Sequence, residues 1–126
     1  MIAYLDTQAL VWLSQGSLDD ISPNVTRLIQ NADLFYSPMV LFELELLYEV
    51  KRIKQSARDI QRKVEYELGV RLCDLPFPLI AAAALDEKWT RDPFDRLIVA
   101  NAKANGFAWL ISADEEIRKH YPRTVW

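Results

Sequence analysis

Residues 2 to 14, IAYLDTQALVWLS, place a short apolar run, one aspartate and a second apolar run in direct succession. Ile2–Leu5 reads as a buried strand, being apolar throughout and bounded by a charge. Asp6 stands where a helix N-cap belongs, and Thr7–Ser14 carries a helical pattern behind it. A strand that passes through one residue into a helix is the first half of a β-α-β unit, so the fold class turns on whether that order recurs.

It does recur. Short apolar runs at Leu34–Tyr36, Val70–Cys73 and Ala108–Ile111 predict further strands, with a last one at Thr124–Trp126. Helical patterns lie between them at Pro23–Gln30, Met39–Ile53, Ala57–Leu68, Phe77–Lys88, Pro93–Asn105 and Glu115–His120, with Gly69 and Gly106 placed to end two of these. The order β-α-α-β-α-α-β-α-α-β-α-β predicts an α/β sandwich around a mainly parallel sheet. In such sheets ligands collect at the carboxyl ends of the strands, near the point where strand order reverses.

Composition narrows the function classes. The 126 residues suit one domain with its own core, 51% hydrophobic and 26% charged, with no repeat or low-complexity segment. The longest apolar run, Leu79 to Leu85, is too short to span a bilayer, and the start MIAYLDTQAL lacks the basic end of a secretory signal, so a cytoplasmic protein is expected. Cys73 is the only cysteine and His120 the only histidine, which leaves disulfide frameworks, zinc sites and histidine-based catalysis poorly supported. A net charge of −3 gives no general attraction to nucleic acid, so any such contact must be local. The one concentrated basic segment is KRIKQSARDIQRK, residues 51 to 63, which fits either a solvated helix face or a surface for RNA or a partner.

Carboxylates are the candidate chemistry. Asp6 follows the first strand, and Asp114 follows the fourth in LISAD, residues 110 to 114, so both should reach the same sheet edge. Each also has the sequence context of an N-cap. In DPFDRLIVANA, residues 92 to 102, Asp92 reads as the N-cap and Pro93 as the first helical residue. Asp95 then precedes Ile98, Val99 and Ala102 at spacings of three, four and seven, so it shares their inward stripe. In SPMVLFELELLYEV, residues 37 to 50, the positions Met39, Val40, Leu46, Leu47 and Val50 fall within roughly 60° of Glu43, which puts Glu43 at the centre of an apolar face, with Glu45, Glu49 and Arg52 opposite. Such a carboxylate must be ion-paired, protonated or metal-bound.

Asp6, Glu43, Asp95 and Asp114, brought together, would repel one another unless protons or cations compensate. Hard oxygen donors without histidine or cysteine select Mg²⁺ or Mn²⁺, and Mg²⁺ commonly joins a few carboxylates to a substrate phosphate. The chemistry to which this points is phosphodiester hydrolysis by metal-activated water.

At these residues the sequence resembles PIN-domain ribonucleases, and within them the VapC-like toxins of prokaryotic toxin–antitoxin pairs. The resemblance covers essentially the whole chain and rests on LDTQALVWL, SPMVLFELELL, DPFDRLIVANA and LISAD in order. It implies a three-layer α/β/α fold and a metal-dependent endoribonuclease, with Asp6, Glu43, Asp95 and Asp114 as catalytic and metal-binding acids. It also implies homodimerisation and inhibition by an antitoxin protein whose C-terminal segment occludes the cleft. Asp92 is an additional acid of the DPFDR subgroup, Thr7 and Ser112 are polar supports, and Arg96 is read as a contact to substrate phosphate, a lock on an acid, or a surface ion pair. Two departures stand out. Lys88, Trp89, Thr90 and Arg91 occupy the place where many relatives carry histidine, and Phe42-Glu43-Leu44 replaces a common Trp-Glu-Ile.

Trp12 and Trp109, in apolar runs, are read as core, whereas Trp89 is the candidate aromatic for RNA or antitoxin contact. Leu41, Leu44 and Tyr48 are the candidates for a dimer or antitoxin groove. Two other function classes compete. One is a PIN-like domain that binds RNA or protein without catalysis. The other is a phosphoacceptor receiver domain, for which Val70–Cys73 does run into Asp74, but Asp6 lacks a neighbouring acid and no lysine follows Ala108–Ile111. On the nuclease reading, Asn at position 6 or 95 should abolish cleavage with thermal stability nearly unchanged.

Overall fold

The computed structural model describes residues 1–16 and 21–126. In chain order the elements are β1 (Ile2–Leu5), α1 (Thr7–Ser14), α2 (Pro23–Asn31), β2 (Asp33–Tyr36), α3 (Pro38–Glu49), α4 (Ala57–Leu68), β3 (Arg71–Leu72), α5 (Phe77–Ala84), α6 (Pro93–Ala104), β4 (Trp109–Ile111), α7 (Glu115–His120) and β5 (Thr124–Val125). Three of the helices start with one device. At α2, α3 and α6 a Ser or Asp side chain accepts a backbone N–H of the first turn, and proline, whose missing N–H costs nothing there, takes the first helical position.

Among the described residues the strands form one sheet in the order β3-β2-β1-β4-β5, and every pairing is parallel. The sheet expected to be mainly parallel is wholly so. β1 lies at its centre, with Leu5 level with Tyr36 on one side and Ile111 on the other. From β1 the chain steps outward to β2 and β3, then returns across the sheet to β4 and β5. Right-handed crossovers put the connections of those two halves on opposite faces, which gives three layers. The same reversal makes the carboxyl ends of β1 and β4 the switch point.

The core fills both sides of β1 and β4. Tyr4, Leu10, Val40, Leu44, Val64, Val99 and Leu110 are all fully buried in its main cluster, and Ile80, Ala84 and Ala100 form a smaller one beneath α5. Cys73 is buried too, receiving hydrogen bonds from the Tyr4 hydroxyl at 3.0 Å and the Asn101 amide at 3.1 Å. Among the described residues no helix is long and apolar enough to cross a membrane.

Two helices stop four residues short of their predicted ends, and α6 stops one residue short. The one expected over Met39–Ile53 ends at Glu49, because Lys51 adopts a left-handed conformation (φ 63°) and the Arg52 and Lys51 amides fold back onto the Leu47 and Tyr48 carbonyls at 2.9 and 3.0 Å. That is a Schellman ending with lysine in place of the usual glycine, at a cost of about 1 kcal/mol. The one expected over Phe77–Lys88 ends at Ala84, where Glu87 turns inward, 2% exposed, to pair with Lys103 and accept from the Trp89 indole N–H at 2.7 Å. α3 also turns a different face inward. Leu44 is fully buried and Val50 is 65% exposed, so the buried stripe runs through Val40 and Leu44, with Glu43 on its flank.

Candidate active site

The β1–β4 switch point opens into a cleft of about 410 Å³ lined by Asp6, Thr7, Glu43, Asp95 and Asp114, together with Gln8, Leu47 and Ile98. Each acid arrives on a different element. The Asp6 amide continues the parallel ladder by donating to the Ile111 carbonyl at 3.2 Å, so Asp6 emerges beside the end of β4. Its side chain caps α1, accepting from the Ala9 amide at 2.8 Å. Asp114 caps α7 through the Ile117 amide at 3.0 Å, and its own amide donates to the buried Ser112 hydroxyl at 3.1 Å. Capping and cleft-lining therefore coexist, because a cap uses one carboxylate oxygen and leaves the other.

Glu43 and Asp95 come from the two helices that close the cleft, α3 and α6, which pack against each other. The Thr7 hydroxyl donates a short hydrogen bond to Glu43 Oε1, which fixes that carboxylate against the start of α1. Asp92 caps α6, accepting from the Phe94 and Asp95 amides at 2.8 and 3.2 Å. The Asp95 side chain makes no hydrogen bond to the described residues, and its carboxylate is left to the cleft.

The electrostatics follow from burial and from like charge. Asp6, 6% exposed, is pushed up from 3.8 to about 6, chiefly by burial, with hydrogen bonds from Ser112 and the Ala9 amide pulling down and Asp114 and Glu43 pushing up. Asp95 is pushed up from 3.8 to about 7 by burial, then by Asp92, Asp114, Glu43 and Asp6. Glu43 is raised by burial, an effect that the Thr7 hydrogen bond opposes and Asp92 reinforces. Among the described residues no lysine or arginine lines the cleft to relieve this repulsion. The donor set is oxygen-only and carries an excess of negative charge, which suits a hard divalent cation. Among the described residues no three His, Cys, Asp or Glu side chains are gathered closely enough to hold a bare ion. Mg²⁺ in general keeps several of its waters and binds through one or two carboxylates.

Of the supporting residues, Thr7, Ser112 and Asp92 stand against the acids. Arg96 does not. Its guanidinium donates to the Ala84 carbonyl at 3.3 and 3.0 Å and to the Thr90 carbonyl at 3.5 Å, closing the carboxyl end of α5 instead of holding an acid. Trp89 is half-buried, its indole tied to Glu87 at 2.7 Å and its ring stacked on His120 at 5.0 Å, and it does not line the acid cleft. Trp12, half-buried against Trp126, and Trp109, half-buried under Arg123, are not the core residues read from sequence: each also lines a surface cavity. Gln8, an exposed side chain on the rim, has no local sequence signal that would have marked it.

Comparison with known proteins agrees with this fold. Residues 3–121 match the PIN domain model. The chain is 32% identical to Ribonuclease VapC22 of Mycobacterium tuberculosis, over 97% of this chain and 96% of that protein. Among solved structures it resembles VapBC2 from Rickettsia felis bound to a DNA fragment from their promoter, with a TM-score of 0.63 at 22% identity, covering 99% of this chain and 96% of that one. VapBC-1 from nontypeable Haemophilus influenzae gives the same TM-score and identity, covering 98% of this chain and 92% of that one. A receiver domain is thereby set aside, and the chain belongs to the PIN domain family.

Proposed function

We propose that this protein is an endoribonuclease that hydrolyses RNA phosphodiester bonds with Mg²⁺ or Mn²⁺ and acts as the toxin of a toxin–antitoxin pair in the cytoplasm. The observation that carries the reading is a cleft lined by four acids with no cation among its described lining residues, in a chain 32% identical to a ribonuclease. Asp6, Glu43, Asp95 and Asp114 would hold the metal, which when bound supplies activated water and offsets charge on the leaving oxygen.

The chain's own residues divide the remaining work. The Ala9 amide and Ser112 orient Asp6, Thr7 orients Glu43, and the Ile117 amide orients Asp114, so three acids are preset before substrate arrives. Asp95 remains free to respond, protonated or ionised near neutral pH. The antitoxin is supported by likeness to VapBC structures, and a homodimer by the exposed apolar side chains Phe42 and Tyr48 on α3 and Phe77 and Leu79 on α5.

The test is cleavage of total cellular RNA by the purified chain with Mg²⁺, with Mn²⁺ and with EDTA, mapping new RNA ends, with Asp95→Asn alongside. Metal-dependent ends that vanish in the variant support the assignment and name the target. Full activity in Asp95→Asn, or cleavage untouched by EDTA, overturns it.

A further inference from the structure

A second cavity, of about 630 Å³, adjoins the acid cleft, and Gln8 lines both. Trp12 of α1 and Ile60 of α4 contribute its apolar side, while Arg52, Lys54 and Lys63 bring positive charge. No acid is among its described lining residues. Two structural details put the cations there. The left-handed Lys51 reverses the chain at the end of α3, and the Ala57 amide donates to Glu45 Oε1 at 3.2 Å, which ties the following loop to α3. Arg52, Lys54 and Lys63 of the basic run are thereby held in a groove that α1 also lines, while Arg58 and Arg62 stay exposed on α4.

We propose that this groove seats the phosphate backbone of single-stranded RNA on one flank of the bond being cut, with Arg52, Lys54 and Lys63 each neutralising a phosphate. The proposal rests on the acid cleft being the cleavage site and adds where the substrate lies. A polyanion is repelled by a chain of net charge −3 and most strongly by the four acids, so its binding energy has to come from cations placed close to them. Among the described residues Arg52, Lys54 and Lys63 form no ion pair, so no carboxylate has to be displaced before they meet a phosphate; what sets them apart from other unpaired cations is their place in the groove. RNA is favoured over an acidic polypeptide because the groove runs into a cleft suited to a cation-bridged phosphate, and Gln8 and Gln55 add amides that can bond phosphate and ribose oxygens.

The test is fluorescence anisotropy of a labelled oligouridylate with the full chain in EDTA across a salt series. The variant is Arg52→Ala/Lys54→Ala/Lys63→Ala, against a charge-matched control, Arg27→Ala/Arg118→Ala/Lys119→Ala, whose side chains are exposed and lie outside both cavities. At about 0.7 per phosphate contact on a single strand, the groove variant should lose about 100-fold in affinity near ~0.1 M salt and lower the salt slope by about 2, while the control changes little. Equal losses in both variants, or none in the groove variant, overturn the proposal. So does poly-glutamate binding as tightly as RNA with the same loss, which would make the groove a site for acidic polypeptide. If the triple variant melts early, Arg52→Ala and Lys54→Ala, both exposed, should each lose about 5-fold. Cleavage of total RNA with Mg²⁺ separates the two readings. A wild type that cuts RNA while the groove variant binds normally refutes the groove alone; a wild type that binds through the groove but never cuts refutes the nuclease alone.

Discussion

Replacing Asp95 by Asn should stabilise the metal-free protein, and by an amount that depends on pH. Asp95 is raised from 3.8 to about 7 by burial and by four neighbouring acids. Between those values the folded chain keeps a proton that the unfolded chain has released, so wild-type stability falls as pH rises through the window and is lowest above about pH 7. A rise of about three units corresponds to about 4 kcal/mol at most. Asp95 is only half-buried, and screening by solvent brings the expected gain for Asn at pH 8 to about 2 kcal/mol, roughly 8 °C in melting temperature for a domain of this size. This revises the expectation from sequence that the change leaves stability nearly unaltered. The assay is thermal denaturation in EDTA from pH 5 to pH 8, with wild type and variant matched in salt. The gap should widen across that range and then level off. Added Mg²⁺ should narrow it by stabilising the wild type. A variant no more stable than wild type at pH 8, or a gap independent of pH, would refute the electrostatic account of the cleft.

Glu43→Gln should abolish RNA cleavage while melting stays close to wild type, since an amide oxygen can still accept from Thr7; intact turnover together with intact metal affinity would remove Glu43 from the site. Leu44→Ala should lower stability by about 3 kcal/mol in urea unfolding, because the side chain is fully buried in the main core cluster. A loss below about 0.5 kcal/mol, the range of surface substitutions, would instead return Leu44 to the surface role read from sequence.

The element order was legible because the strands are short, mostly apolar runs set off by polar residues or glycine, so period and punctuation agree. β1, α1, α4 and α7 begin and end where the sequence predicts. The ends of α3 and α5 were not legible. Lys51 turns left-handed without glycine, and α5 stops where Glu87 finds Lys103 sixteen residues on, a partner no local window contains. The inward face of α3 was misread for a related reason: PMVLFELELLYE is apolar nearly all round, so spacing alone does not choose a face and packing against α4 and α6 does. Glu43 nevertheless reaches the cleft, as a flank residue and not a central one. Asp6, Asp95 and Asp114 were found by strand-end and helix-stripe arguments that survive in three dimensions. The role of Arg96 was not readable, because its partners are backbone carbonyls, which leave no trace in side-chain identity.

The central pairing of β1 with β4 also sets when the cleft can exist. Asp6 lies at the start of the chain, yet its neighbours Ser112 and Asp114 are placed only once Ala3–Leu5 have paired with Trp109–Ile111. Contacts this distant in sequence form late and slowly. During synthesis, a ribosome-bound chain that has already folded α1 through α5 still lacks β4 and the acid beyond it. The four acids therefore cannot line one cleft until residues 109 to 114 have been made and have joined β1.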